Sequence, residues 1–181
     1  MAHGLAETLL AAVLLVSCAK VQEPALLPLP KQVEFTGGSI RAGAPETLSF
    51  VEAIPEAVLN EYEAYRLTVD KAGVHIEAVT ERGVWNARQT LRQLRDSHVG
   101  RRPSQNDRGK GRIPCCRIVD WPSFRVRGWM MDVGRTYISL AELKREVDIF
   151  SQFKVNVFHL HLTENEAWRL ESRRYPQLNP P

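Results

Sequence analysis

The stretch that most limits what this chain can fold into is residues 124–169, FRVRGWMMDVGRTYISLAELKREVDIFSQFKVNVFHLHLTENEAWR. Residues 126–133 form a short apolar run with few breakers, the pattern of a buried parallel strand. Residues 155–162 form a second such run. Between them, Ser139 followed three residues on by Glu142 makes a Ser-x-x-Glu capping box. Leu140, Leu143, Val147 and Phe150 then recur at helical spacing and mark one apolar face. Two strands joined by a single helix require a crossover, so the stretch reads as a βαβ unit with parallel strands.

Polar residues crowd the ends of both strands. Asp132 and Arg135 follow the first, and His159, His161, Thr163, Glu164 and Asn165 gather at the second. In a (β/α)8 barrel the C-terminal strand ends are where chemistry is done. The order Arg127-Gly128-x-x-x-Asp132-x-x-Arg135, a helix, Lys154-x-Asn156-x-x-His159-x-His161-Leu162 and Trp168-Arg169 resembles the start of the catalytic barrel of family 20 glycoside hydrolases, the β-N-acetylhexosaminidases. A complete barrel takes about 250 residues. Only 58 residues run from Phe124 to Pro181, so the expected piece is the opening of a barrel that does not close within the chain.

Upstream, Val33 and Phe35 alternate into Gly37-Gly38, with Ile40 beyond, which predicts a hairpin with a Gly-Gly turn. Residues 43–61 are broken up by Pro45 and Pro55, and a helical turn is expected over 57–62. Tyr65, Leu67 and Val69, a turn over 70–73, and Val74, Ile76 and Ala78 predict an antiparallel hairpin with one buried face. Val84, Ala87, Leu91 and Leu94 predict an amphipathic helix over 81–95 that covers it. Residues 97–112 read as a long charged loop, and 113–122 as the connector into the barrel. Gly83-Val84-Trp85 and Gln89-Thr90-Leu91-x-Gln93-Leu94 resemble the non-catalytic domain that precedes the barrel in family 20. The expected fold is therefore an α+β N-terminal domain, residues 24–120, followed by the first βαβ unit of an incomplete (β/α)8 TIM barrel, residues 124–181.

Residues 1–23 read as an export signal and tether. Residues 9–16 are continuously apolar, too short for a bilayer span but fitting for a signal h-region. Leu15-Val16-Ser17-Cys18 resembles a bacterial lipobox, with Cys18 as the lipidated residue. The first eight residues lack Lys and Arg and include Glu7, a departure from the usual signal. The expectation is an exported protein, either a cell-envelope lipoprotein held by its N-terminal lipid or a periplasmic or secreted one.

The net charge of +3 is local. Residues 95–112 hold six basic and two acidic residues, and the remainder sums to −1. A solvated basic loop accounts for this, and no nucleic-acid-binding motif accompanies it. Cys115 and Cys116 are adjacent, a poor geometry for a mutual bridge, and read as buried free thiols.

The resemblance implies substrate-assisted hydrolysis, for which family 20 departs from the two-carboxylate nucleophile scheme. It implies removal of terminal β-linked N-acetylhexosamine from a glycan, with no cofactor and no metal. The general acid and the residue that orients the acetamido group come in the family as an Asp-Glu pair on a later strand. No Asp-Glu dipeptide occurs in these 181 residues, so the catalytic pair is absent and this chain alone is expected to be inactive. Arg135 matches the family arginine that binds hydroxyls of the terminal sugar. Its alternative is a structural pair with Asp132. Glu164 and Asn165 stand where the family usually has two aspartates, Glu164 being the second candidate for substrate binding. Asp132 and His161 are candidate supports.

His159 and His161 share the parity of Val155 and Val157 and so face one side. His-x-His at a barrel strand end is also a metal-ligand arrangement, which keeps a metal-dependent barrel hydrolase as an alternative. Satisfied structural histidines are another, and a non-catalytic carbohydrate-binding or interaction fragment is a third. Trp129 and Trp168 read either as sugar-stacking or as packing.

Overall fold

In the computed structural model the described residues are 24–97 and 111–178. Cys18, the apolar run before it and most of the charged loop lie outside them. A five-stranded sheet contains β1 (Gln32–Arg41), β2 (Glu46–Phe50), β3 (Tyr65–Asp70), β4 (Gly73–Ala78) and β5 (Arg112–Asp120), in the order β1-β5-β3-β4-β2. All pairings are antiparallel except β2 with β4. The β3–β4 hairpin forms as its alternation predicts. Its turn closes where Asp70 Oδ1 accepts the Ala72 amide at 2.8 Å and the Gly73 amide at 3.3 Å. Helix α1 (Glu81–Ser97) buries Val84, Ala87, Leu91 and Leu94 against Leu67, Val69, Val74 and Ile76.

Gly83, in the first turn of α1, is required by packing. A Cβ there would lie 2.4 Å from the Ala64 carbonyl oxygen and 3.1 Å from Ala78 Cβ. Helix propensity alone favours Ala over Gly by about 1 kcal/mol. The obstacle is backbone and cannot swing aside, and overpacking of this kind destabilises by about 1–3 kcal/mol. Gly83→Ala is therefore expected to lower the denaturant midpoint, whereas propensity alone would raise it.

Three sequence expectations are corrected. Gly37-Gly38 is not a hairpin turn: β1 runs straight through it. Its register on β5 shifts between Phe35↔Cys116 and Ser39↔Pro114, and both glycines have positive φ (82° and 79°), which makes the pair a bulge. Residues 113–120 are not a connector but strand β5, flanked by β1 and β3. Pro114 disguised it, since proline removes a ladder donor. The β3 pairing stops at Val69↔Cys116, so Pro114 lacks a β3 neighbour and its missing N–H does no harm. Strand β2, exposed at all five residues, lies inside the 43–61 stretch that Pro45 and Pro55 break up. The helical turn expected over 57–62 is a 3-10 turn at Glu61–Glu63.

Cys115 and Cys116 are free and buried, as their adjacency suggested. Burial pushes the Cys116 thiol up to about 12, with a smaller contribution from Cys115. A raised folded value means this group supports the fold fully below its ordinary 9 and loses that support as pH climbs towards 12.

The second unit is strand β6 (Gly128–Asp132), helix α2 (Leu140–Gln152) and strand β7 (Val157–His161), with β6 and β7 parallel as the crossover argument requires. Both strands are shorter than the apolar runs that announced them. Ser139 caps α2 by accepting the Glu142 amide at 3.2 Å. The capping box closes only on this side, because the Glu142 carboxylate pairs with Arg145 instead. No residue of α2 is buried, and Met130, Val157 and Phe158 on the strands are exposed. Trp129 stacks on Phe150 at a centroid distance of 4.0 Å, which makes it a packing residue.

A buried polar seam joins the two units. Lys154, in a left-handed conformation (φ 62°), inserts its ammonium 2.8 Å from Asp120 Oδ2 and 3.0 Å from the Tyr65 hydroxyl. Tyr65 also donates to Asp120 and shares a 2.6 Å bond with Thr90. Beside it, Arg127 pairs with buried Glu63, which also receives Asn156 and Asn86. Arg127, Lys154 and Asn156 carried the family resemblance, yet their work is to anchor the βαβ unit on the sheet rather than to face the strand ends.

Candidate active site

The parallel register sets Asp132 beside His161, so the two strand ends deliver their polar residues to one place. After β6 the chain turns sharply. Asp132 Oδ1 accepts the Arg135 amide at 3.0 Å, and the Arg135 side chain folds back to Asp132 Oδ2 at 3.4 Å. Arg135 Nη2 reaches Glu164 Oε1 at 2.7 Å. His161 Nε2 lies 3.2 Å from that same oxygen and 2.9 Å from the Thr163 carbonyl oxygen. A carbonyl only accepts, so Nε2 carries the proton.

The electrostatics follow from these contacts. The Arg135 amide holds the Asp132 carboxyl below its usual range, and the neighbouring His161 and Arg135 charges add to this. Two carboxylates thereby fix the guanidinium from below. Its side chain nevertheless stays 66% exposed. A rigid fork of N–H donors held in this way can bind vicinal oxygens without first being ordered.

The sequence candidates sort clearly. Asp132, Arg135, His161 and Glu164 come together. Arg135 makes the structural pair with Asp132, and its side chain stays largely exposed. Asn165 is exposed beside the cluster, and His159 is exposed on β7. Among the described residues, the group of three donors that converges within 4.8 Å is Asp132, His161 and Glu164, and His159 is not part of it. Arg135 already supplies positive charge to both carboxylates of this trio.

Two residues of the site carry roles that the sequence does not show: Gly134, and Arg169, which the sequence offers only as part of the family motif. Gly134 lets the two strand-end turns meet, since a Cβ there would sit 3.2 Å from both Asp132 Oδ1 and Glu164 Cβ. Arg169 Nε donates to the Val133 carbonyl at 2.8 Å. Its partner lies 36 residues away, and no local pattern signals such a contact.

The sequence model described as the catalytic domain of glycosyl hydrolase family 20 matches residues 124–180, and that of the family's domain 2 matches residues 51–121. The chain belongs to glycosyl hydrolase family 20. Among similar proteins is a beta-hexosaminidase of Porphyromonas gingivalis, 40% identical over 116 residues, a match covering 64% of this chain and 15% of the relative. A beta-hexosaminidase of Akkermansia muciniphila is 37% identical over 153 residues, covering 84% of this chain and 28% of the relative. A solved family 20 exo beta-N-acetylglucosaminidase of Vibrio harveyi, in complex with N-acetylglucosamine, superposes with a TM-score of 0.67 at 28% identity, covering 84% of this chain and 28% of that one. The matched part of this chain thus corresponds to less than a third of the length of these relatives.

Proposed function

We propose that the protein carrying this chain removes terminal non-reducing β-linked N-acetylhexosamine, GlcNAc or GalNAc, from glycans. In this reading residues 124–178 are the first βαβ unit of a (β/α)8 barrel, and residues 24–120 are the non-catalytic α+β domain before it. The reaction is substrate-assisted and retaining. The sugar's own acetamido carbonyl attacks the anomeric carbon while a glutamic acid protonates the departing oxygen. The residues described above do not perform that step. Arg135 binds hydroxyls of the terminal sugar, Glu164 and Asp132 hold its guanidinium, and His161 braces Glu164. The observation that carries this reading is the Arg135 fork, held by two carboxylates at adjacent parallel strand ends inside the segment that matches the family's catalytic domain.

The test is release of nitrophenol from nitrophenyl N-acetyl-β-glucosaminide and its galacto epimer, by the product of the complete coding sequence and by the 181-residue chain. Turnover is expected from the former. The latter has no Asp-Glu pair and is expected to match a mock preparation. No turnover of either sugar by the complete product would sink the proposal. The apolar run at 9–16 and Cys18 further support export with an N-terminal lipid, which metabolic labelling with a fatty acid would reveal.

A further inference from the structure

We propose that Arg169 is a positioning residue: it locks the turn that carries Arg135 against the segment that carries Glu164. This rests on the reading of Arg135 as the donor to sugar hydroxyls. The segment after β7 is closed on itself. Glu164 N donates to the Ala167 carbonyl at 2.8 Å, Thr163 bridges Trp168, and Arg169 N donates to the Leu162 carbonyl at 2.9 Å. The Arg169 side chain then leaves this segment and grips the turn after β6 at two points. Its Nε holds the Val133 carbonyl at 2.8 Å, and its guanidinium carbon lies 5.7 Å from the centre of the Tyr137 ring, within reach of a cation–π contact.

Val133 and Tyr137 stand two residues before and two residues after Arg135, so one side chain clamps both flanks of the turn that presents the fork. The Val133 amide is also tied to the His161 carbonyl at 3.0 Å, and Gly134 permits the close approach to Glu164. Apart from the Arg135–Glu164 pair itself, no other long-range side-chain bond reaches the turn among the described residues, and Arg135 is mostly exposed. Without Arg169, the Arg135–Glu164 pair becomes an ordinary surface pair, free to exchange poses.

Two measurements test this. The first uses the 181-residue chain with 15N-labelled arginine and needs no turnover. The Arg135 guanidinium signals, assigned through Arg135→Lys, are expected to show hindered rotation. Arg169→Met is expected to release it, and Arg169→Lys, which keeps a donor and a charge, to restore most of it. Unchanged Arg135 signals in a folded Arg169→Met chain overturn the proposal. Should that variant fail to fold, Tyr137→Leu, at an exposed ring, decides in the same way.

The second measurement uses the product of the complete coding sequence. Arg169→Met is expected to lower kcat/KM by about 100-fold, the order expected for a displacement of about 1 Å in a binding group. In an Arg135→Ala background it should add almost nothing, because it acts through Arg135. An equal loss in both backgrounds denotes a merely structural role and overturns the proposal. If the unsubstituted product turns over no N-acetylhexosaminide, the proposed function falls, while the guanidinium signals still decide whether Arg169 positions Arg135.

Discussion

Arg135→Ala in the product of the complete coding sequence is expected to lower kcat/KM for a nitrophenyl N-acetylhexosaminide by about 10²–10⁴-fold. A hydrogen bond from a charged donor contributes about 1.5–3 kcal/mol, and the fork offers two such donors to vicinal hydroxyls. Losing both removes about 3–6 kcal/mol of binding, at about 1.4 kcal/mol per tenfold. Arg135→Lys keeps the charge but not the fork and should recover only a minor part. Stability should barely change, since the guanidinium is 66% exposed and exposed pairs contribute little. A large kinetic loss with an unchanged unfolding midpoint is therefore the expected signature. Equal activity of Arg135→Ala and the unsubstituted protein would refute the assignment of Arg135 to the sugar.

The opposite signature is expected at the seam between the two units. Lys154→Ala leaves the Asp120 carboxylate buried without its cation and deprives Tyr65 of a partner. Breaking one side of a buried ion pair destabilises by about 3–5 kcal/mol. The double change Lys154→Met with Asp120→Leu removes both charges and should be less destabilising than Lys154→Ala alone. Chemical denaturation of the three chains checks this, and a double variant weaker than the single one would show that the pair itself, not its desolvated remnant, stabilises the seam. Burial draws the Lys154 ammonium below its usual range against the opposing pull of Asp120. The unfolded chain then binds the extra proton between the lowered value and the ordinary 10.5, so this group makes stability rise with pH across that window.

Much of the fold was legible because side-chain period is carried along the chain, even where, as in α2, no residue becomes buried. The β3–β4 hairpin, α1 and the β6–α2–β7 crossover each carry the period their structure demands. β5 failed because Pro114 read as a breaker, and only the end of the β3 ladder at Cys116 shows why it is tolerated. The Gly37-Gly38 turn failed for a related reason. Positive φ serves a bulge as well as a hairpin, and the choice is made by β5, which arrives more than 70 residues later. In the candidate site, Asp132, Arg135, His161 and Glu164 were legible from their places at strand ends and from the family pattern. Gly134 was not, and Arg169 was legible only as a motif residue without a role, because a backbone carbonyl and a close approach leave no mark on residue type.

The amino-acid sequence by itself determined the family, the parallel crossover and the identity of the residues at the strand ends. Those depend on side-chain period and motif spacing, both carried along the chain. Only the tertiary structure decided which motif residues do which work. Arg127, Lys154 and Asn156 turn towards Glu63 and Asp120 at one end of the βαβ unit, while Asp132, Arg135, His161 and Glu164 gather at the other. The physical reason is that a buried charge must find its partner in space. The partners of Lys154 and Arg127 lie 34 and 64 residues away, a separation that no local pattern encodes.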